Sequence, residues 1–176
     1  MAERTPPMLC VVGRKHVGKT TLVVQLTAEL TRRGHRIMTL KHGSHTFNLD
    51  PAATDTYRHY HEGGAERVAM ASPDKFALVQ RWAEELTPEV IAARYLAEAD
   101  LVLCEGFKAS VLPKVEIHRR EVHEGPLWTP EIAQSASWRA LIGDARVPEF
   151  SGMQFDLASK SWLDELSTWV EQEIMT

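Results

Sequence analysis

A glycine-rich segment near the start of the chain constrains the fold more than any other feature. Residues 13–20 read GRKHVGKT, which fits the pattern G-x-x-x-x-G-K-[ST] of a loop that binds phosphate. An apolar run at residues 8–12 precedes the loop, and Leu22, Leu26 and Leu30 follow it at helical spacing. A strand, a loop and an amphipathic helix in this order are the context that such a loop requires, and they predict an α/β protein.

The residue types of this loop each have a chemical reason. Gly13 and Gly18 permit a backbone in which successive N–H groups face phosphate oxygens, and the positive end of the following helix adds to the attraction. The Lys19 ammonium is predicted to reach the β- and γ-phosphates, and the Thr20 hydroxyl is predicted to ligate Mg²⁺. The residues expected to bind the nucleotide are Gly13, Arg14, Lys15, His16, Val17, Gly18, Lys19, Thr20, Thr21 and Lys41.

A carboxylate is expected near the loop because Mg²⁺ prefers hard oxygen ligands. Glu105 follows the apolar run at residues 101–104, at the sheet edge on which ligands bind in α/β proteins. Asp50 and Asp55 lie in a polar, aperiodic stretch over residues 42–56, where a loop that senses the γ-phosphate would lie. From the residues alone the predicted metal ligands are Thr20 and Glu105, and Asp50 and Asp55 both stay open as loop candidates.

Four histidines near this stretch leave another interpretation open. With the neighbouring aspartates they have spacings that suit a transition metal, and they are His42, His45, His59 and His61. Exposure to solvent or contact with phosphate is the more common role of loop histidines, and Lys41-His42 at a strand end favours the lining of an anion site.

The sequence does not determine which base is bound, because it contains no N-K-x-D motif. Asp144 follows a late predicted strand, and it is either a base-contacting residue or a turn aspartate.

The rest of the chain alternates strands with helices, which predicts one layered α/β structure with a mainly parallel sheet. Strands are predicted at residues 8–12, 36–41, 67–71, 76–80, 101–104, 114–118 and 140–142 and near Phe155, and further helices at residues 57–62, 88–98 and from 159 onward. With 176 residues and no internal repeat or linker, the chain is expected to be one domain over residues 1–176, with residues 1–7 as a flexible tail.

Composition excludes several classes of function. The chain has 20 Lys and Arg against 24 Asp and Glu, so its net charge of −4 argues against bulk binding of nucleic acid. It contains neither the apolar run of a membrane span nor that of a signal peptide, which predicts a cytoplasmic protein. Cys10 and Cys104 each lie in an apolar run and are expected to be buried, reduced thiols.

Several segments beyond the loop carry a family resemblance. They are Lys41-His42, Asp55-Thr56-Tyr57, Gly64-Ala65, Ala71-Ser72, Glu105-Gly106-Phe107-Lys108 and Pro113-Lys114. Together with the loop, this order resembles the molybdopterin-guanine dinucleotide biosynthesis adapter protein family, MobB, over about residues 8–120. The Lys-His and Glu-Gly-Phe-Lys segments are not general features of phosphate-loop proteins, so the resemblance is specific.

The resemblance implies a P-loop NTPase fold with three layers, α/β/α, and a protein that binds GTP with Mg²⁺. It also implies slow hydrolysis at most, a homodimer, and assistance to the guanylyltransferase that attaches GMP to molybdopterin. Lys19, Thr20, Asp50 and Glu105 match the family positions expected to serve the phosphates and Mg²⁺. Arg14 stands where a lysine of related dimeric ATPases reaches the partner's nucleotide.

Two other functions fit the same loop. A small-molecule or nucleoside kinase would recruit Asp50 or Asp55 as its catalytic base. A metal-chaperone GTPase would use His42, His45 and Asp50 as ligands. The expected cofactors are GTP and Mg²⁺, and the expected partners are the guanylyltransferase, molybdopterin or its guanine dinucleotide, and a second copy of the chain.

Overall fold

The computed structural model describes residues 4–43 and 51–176. Of these, residues 4–42 and 88–176 form a larger compact unit, and residues 43 and 51–87 belong to a smaller one. The expectation of one domain over residues 1–176 with a flexible tail at residues 1–7 stays a prediction. In chain order the elements are β1 (Met8–Val12), α1 (Lys19–Arg32), β2 (Ile37–Lys41), α2 (Asp55–His61), β3 (Arg67–Ala71), β4 (Phe76–Gln80), α3 (Pro88–Tyr95), β5 (Leu101–Glu105), β6 (Lys114–His118), β7 (Trp138–Gly143), β8 (Met153–Asp156) and α4 (Trp162–Glu173).

A six-stranded sheet in the order β2-β5-β1-β6-β7-β8 forms the centre of the larger unit, and all its neighbouring strands are parallel. The strands β1 and β5 are continuously apolar because both faces of the sheet are covered. On one face, Leu9 and Val11 pack with α1 and α4. On the other, Cys10 packs with Ala92 of α3 and with Trp128 from a long connection. The mainly parallel α/β fold is therefore confirmed.

Cys10 and Cys104 are partners in the register of β1 and β5, and both are free and buried. The predicted burial of both thiols is therefore confirmed, and their reduced state stays a prediction.

The strand β6 carries two charged side chains that are fully buried, Lys114 and Glu116. Lys114 Nζ donates to the carbonyl oxygens of Ser110 and Leu112, while the Glu116 carboxylate accepts from backbone N–H groups at residues 127 and 128. Burial lowers the pKa of Lys114 and raises that of Glu116. These hydrogen bonds hold the connection before β6 and the connection after β6 against the sheet.

The predicted helices differ from the observed ones mainly at their ends. The helix α3 ends at Tyr95 rather than near residue 98, because the N–H of Ala99 bonds to the Leu96 oxygen in a tighter turn that leads into β5. The helix α4 begins at Trp162, three residues after the predicted start. Ser161 does not cap the backbone, since its hydroxyl donates to the Glu165 carboxylate at 2.5 Å.

The smaller unit contains α2 and an antiparallel hairpin of β3 and β4. The helix begins at Asp55, two residues before its predicted start, because Thr54 accepts a hydrogen bond from the N–H of Tyr57. Arg81 follows the hairpin, donates to the Tyr60 carbonyl oxygen and lies 4.1 Å from the centre of the Tyr60 ring. The predicted strands at residues 67–71 and 76–80 are confirmed.

Within residues 4–43 and 51–176, every helix is too short or too polar to span a bilayer.

Candidate nucleotide-binding site

The phosphate loop joins β1 to α1 and is packed against the neighbouring strand β6. Gly13 has a φ of +151°, and a Cβ built there would lie 2.5 Å from the backbone oxygen of Ile117. Only glycine fits that position, because the oxygen belongs to a hydrogen-bonded strand. Gly18 adopts φ +101° immediately before α1 and has no side chain with which to cap the helix. The first N–H groups of α1 therefore keep the orientation that binds phosphate at a helix start.

Lys19 is held within the loop that it follows. Its Nζ donates to the Arg14 carbonyl oxygen at 2.7 Å, so the side chain curls back over the loop. Burial lowers the pKa of Lys19, the Glu105 carboxylate opposes that shift, and Lys41 adds to it. Three charged side chains thus act on one another at the start of α1.

Glu105, Thr20 and Lys41 meet at the carboxyl ends of adjacent strands. The Thr20 hydroxyl donates to Glu105 Oε1 at 2.9 Å, and Lys41 Nζ lies 3.0 Å from the same oxygen. Glu105 and Lys41 are register partners in β5 and β2, and the Glu105 side chain is only 12% exposed. The sequence predicts that Glu105 lies beside the phosphate loop. The hydrogen bond between Glu105 and Thr20 agrees with that position. The roles of these residues stay predictions.

A sharp turn after β5 fixes the position of this carboxylate. The N–H of Gly106 bonds to the Val11 oxygen at 3.0 Å, and the N–H of His42 bonds to the Glu105 oxygen at 3.0 Å. Gly106 and Phe107 have φ values of +98° and +54°. The His42 ring lies 4.9 Å from that of Phe107, so the Lys-His and Glu-Gly-Phe segments lie against each other.

The oxygen atoms of Thr20 and Glu105 form a donor set that fits Mg²⁺, since both are hard ligands beside a phosphate loop. Asp50, the third predicted metal ligand, lies outside the described residues, as does His45. Asp55 begins α2 in the smaller unit. In the part of the chain that the structure describes, no group of three or more His, Cys, Asp or Glu side chains is arranged to hold a metal ion.

The segment after β6 packs against the phosphate loop, which the sequence did not predict. His123 Nε2 lies 2.8 Å from the Lys15 carbonyl oxygen, and Arg14 donates to the carbonyl oxygens of Gly125 and Pro126 at 3.2 and 3.4 Å. Arg14 therefore contacts its own chain. Arg119 Nη2 lies 4.0 Å from the position of a Cβ on Gly18. The sequence feature that indicates this contact is the position of Arg119 directly after β6, because β6 pairs with β1.

A parallel sheet with a phosphate loop after an interior strand defines the P-loop class of nucleotide-binding α/β proteins. The family model described as molybdopterin guanine dinucleotide synthesis protein B, MobB, matches residues 8–144. The chain belongs to this family, and the resemblance found in the sequence is confirmed.

Relatives and solved structures agree with this assignment. A Haemophilus influenzae protein named molybdopterin-guanine dinucleotide biosynthesis adapter protein is 36% identical over 72% of this chain and 69% of its own length. A protein of the same name from Escherichia coli is 33% identical over 68% and 70%, respectively. The crystal structure of a molybdopterin-guanine biosynthesis protein B has a TM-score of 0.68 at 26% identity, covering 94% of this chain and 97% of that one. A MobB homolog from Bacillus stearothermophilus has a TM-score of 0.63 at 27% identity, covering 94% and 96%.

Proposed function

We propose that this chain is a GTP-binding adapter that assists the attachment of GMP to molybdopterin in the synthesis of molybdopterin guanine dinucleotide. The observation that carries the proposal is the contact of Thr20 with Glu105 beside a phosphate loop, at the joined ends of β1 and β5. The names of the curated relatives supply the pathway. The kinase and metal-chaperone alternatives have no supporting observation in the described residues.

The loop and the first turn of α1 bind the nucleotide in this proposal. Lys19 leaves the Arg14 oxygen and pairs with the phosphates, while the exposed ammonium of Lys41 adds positive charge at the end of β2. Thr20 and Glu105 would hold Mg²⁺ through a hydroxyl and a carboxylate, and Asp50 would be the third ligand and the second carboxylate. When bound at these residues, Mg²⁺ would supply positive charge that neutralises the phosphates.

An adapter uses this site for recognition rather than turnover, so hydrolysis is slow or absent in the proposal. The partners are the guanylyltransferase, molybdopterin or its guanine dinucleotide, and a second copy of the chain. A cytoplasmic location stays a prediction.

The Lys19→Ala variant tests the site. It removes a charge-assisted phosphate contact and no core group, so the affinity for GTP with Mg²⁺ is expected to fall about a hundredfold, with the melting temperature unchanged. Isothermal titration calorimetry measures the affinity. Lys75→Ala is the matched control, because Lys75 is a 79% exposed lysine of the smaller unit. GTP affinity that survives in Lys19→Ala contradicts the site assignment.

Reconstitution tests the adapter role. The guanylyltransferase, molybdopterin and Mg²⁺-GTP are incubated with the wild-type chain or with Lys19→Ala, and the rate of formation of the guanine dinucleotide is measured. We expect stimulation by the wild-type chain and not by the variant. Equal stimulation by both would separate the adapter role from nucleotide binding and contradict the proposal.

A further inference from the structure

A cavity lies at the carboxyl ends of β7 and β8 in the larger unit. Its volume is about 350 Å³, and its lining includes Gly143, Asp144, Arg146 and Asp156. Asp144 follows the last residue of β7. This edge of the sheet also carries the phosphate loop, since all six strands are parallel.

The Asp144 carboxylate is held in a defined position at this cavity. Both of its oxygens lie 3.0 Å from the N–H of Arg120, which follows β6, and Oδ1 lies 3.8 Å from Nδ1 of the buried His118. The side chain is 37% exposed, so the carboxylate reaches solvent while the Arg120 N–H holds it in place. Each oxygen has two lone pairs, and the single N–H leaves acceptor capacity for a ligand.

The order of the strands gives the direction in which a bound nucleotide extends. Glu105 and Lys41 lie on β5 and β2, on one side of β1, whereas β6 and β7 lie on the other side. If Thr20 and Glu105 hold the metal on the terminal phosphates, the nucleoside extends toward β6 and β7. Two strand spacings place the end of β7 roughly 10 Å from the loop, a distance comparable to the reach from the phosphates of a nucleotide to its base.

Arg119 lies along this path. Its Nη2 is 4.0 Å from the Cβ position of Gly18, and its buried Nε has no hydrogen-bond partner among the described residues. A cation with an unused donor therefore lies between the start of α1 and the strand end that precedes Asp144 along the sheet.

We propose that Asp144 recognises the base and selects guanine over adenine, an inference that rests on the proposed function. Guanine presents two neighbouring donors, N1–H and the 2-amino group, and a carboxylate accepts from both. Adenine presents an unprotonated N1 at the same place, which repels a carboxylate. An N-K-x-D motif is not needed to position this aspartate. The register of β6 and β7 brings Asp144 next to Arg120, whose backbone N–H holds the carboxylate.

The test compares nucleotides of defined base, each with Mg²⁺, by isothermal titration calorimetry. The wild-type chain is expected to bind GTP about a hundredfold more tightly than ATP and about tenfold more tightly than ITP, which lacks the 2-amino group. In Asp144→Asn, the amide donates to the 2-oxo group of xanthine, so XTP is expected to bind more tightly than GTP. Asp100→Asn is the matched control, because Asp100 also accepts from a backbone N–H but lies at the opposite edge of the sheet.

The outcomes separate this inference from the proposed function. If the wild-type chain binds none of the nucleotides, the proposed function and this inference both fail. If it binds GTP while Asp144→Asn still prefers GTP to XTP, only the role of Asp144 is wrong. If the variant does not fold, the wild-type ratio of GTP to ITP decides, and equal affinities would overturn the inference.

Discussion

A methyl group at position 13 tests how closely the phosphate loop packs on β6. Gly13→Ala places its Cβ 2.5 Å from the Ile117 oxygen and 2.9 Å from Val17 Cγ2. Gly34 follows α1 with φ +97°, and no described atom lies within 4 Å of its Cβ position. Gly34→Ala therefore serves as a control that changes the backbone preference without a steric clash.

The structure gives the expected magnitudes. A left-handed conformation costs an L-residue about 1–2 kcal/mol, and this is the whole expected cost at Gly34. At Gly13 the contact with Ile117 is shorter by 0.9 Å (3.4 − 2.5) than an ordinary one, and the strand cannot withdraw without losing hydrogen bonds to its neighbours. Overpacking adds about 1–3 kcal/mol, so Gly13→Ala is expected to cost about 2–5 kcal/mol in total.

Thermal unfolding followed by far-ultraviolet circular dichroism measures the difference. In a protein of this size 1 kcal/mol corresponds to about 2–4 °C, so the melting temperature is expected to fall by about 4 °C in Gly34→Ala and about 10 °C in Gly13→Ala. The folded Gly13→Ala protein is also expected to bind GTP weakly, because the loop must move. Equal decreases in melting temperature in the two variants would refute the argument from close packing.

Three further perturbations have defined outcomes. Arg33→Ala is expected to lower the free energy of unfolding by about 1–3 kcal/mol, because this 15% exposed guanidinium joins carboxylates of α1 and α4. Arg32→Ala, which removes a 70% exposed partner of the same Glu29, is expected to lower the free energy of unfolding much less than Arg33→Ala does, because solvent screens an exposed ion pair. Equal losses of the two variants in urea unfolding would contradict this expectation. Hydrogen bonds from Arg32 and Arg33 lower the pKa of Glu29 from 4.5 to about 2. Because the folded pKa is the lower one, this stabilisation is complete above the unfolded pKa and is lost as the pH falls toward 2. The melting temperature of the wild-type chain should therefore fall more steeply with acid than that of Glu29→Gln, and parallel curves would argue against it. Glu116→Gln is expected to cost about 1–3 kcal/mol in urea unfolding, because the amide nitrogen cannot accept a backbone hydrogen bond, whereas the exposed Glu121→Gln should have little effect.

Local patterns predicted much of the fold because they are properties of short segments. The strand β6 was predicted at its observed bounds, and the meeting of Glu105 with Thr20 was expected because parallel strands share a carboxyl edge. In the smaller unit the hairpin strands also have their predicted bounds.

Local patterns could not predict which residues far apart in the sequence contact one another. The alternation in β6 does not show that Lys114 and Glu116 are both buried, since that depends on loops far along the chain. His123 bonds to Lys15 across more than a hundred residues, so no window of sequence contains the pair.

The strand order has a consequence for how the chain folds as it is synthesised. In the described sheet, β1 pairs with β5 and β6, and β2 pairs with β5 alone. Neither of these early strands has a ladder partner in the sheet until residues 101–105 have left the ribosome, whereas the hairpin of β3 and β4 closes locally. The phosphate loop therefore emerges well before β5 does, yet it acquires its shape only once β5 is available to pair with β1.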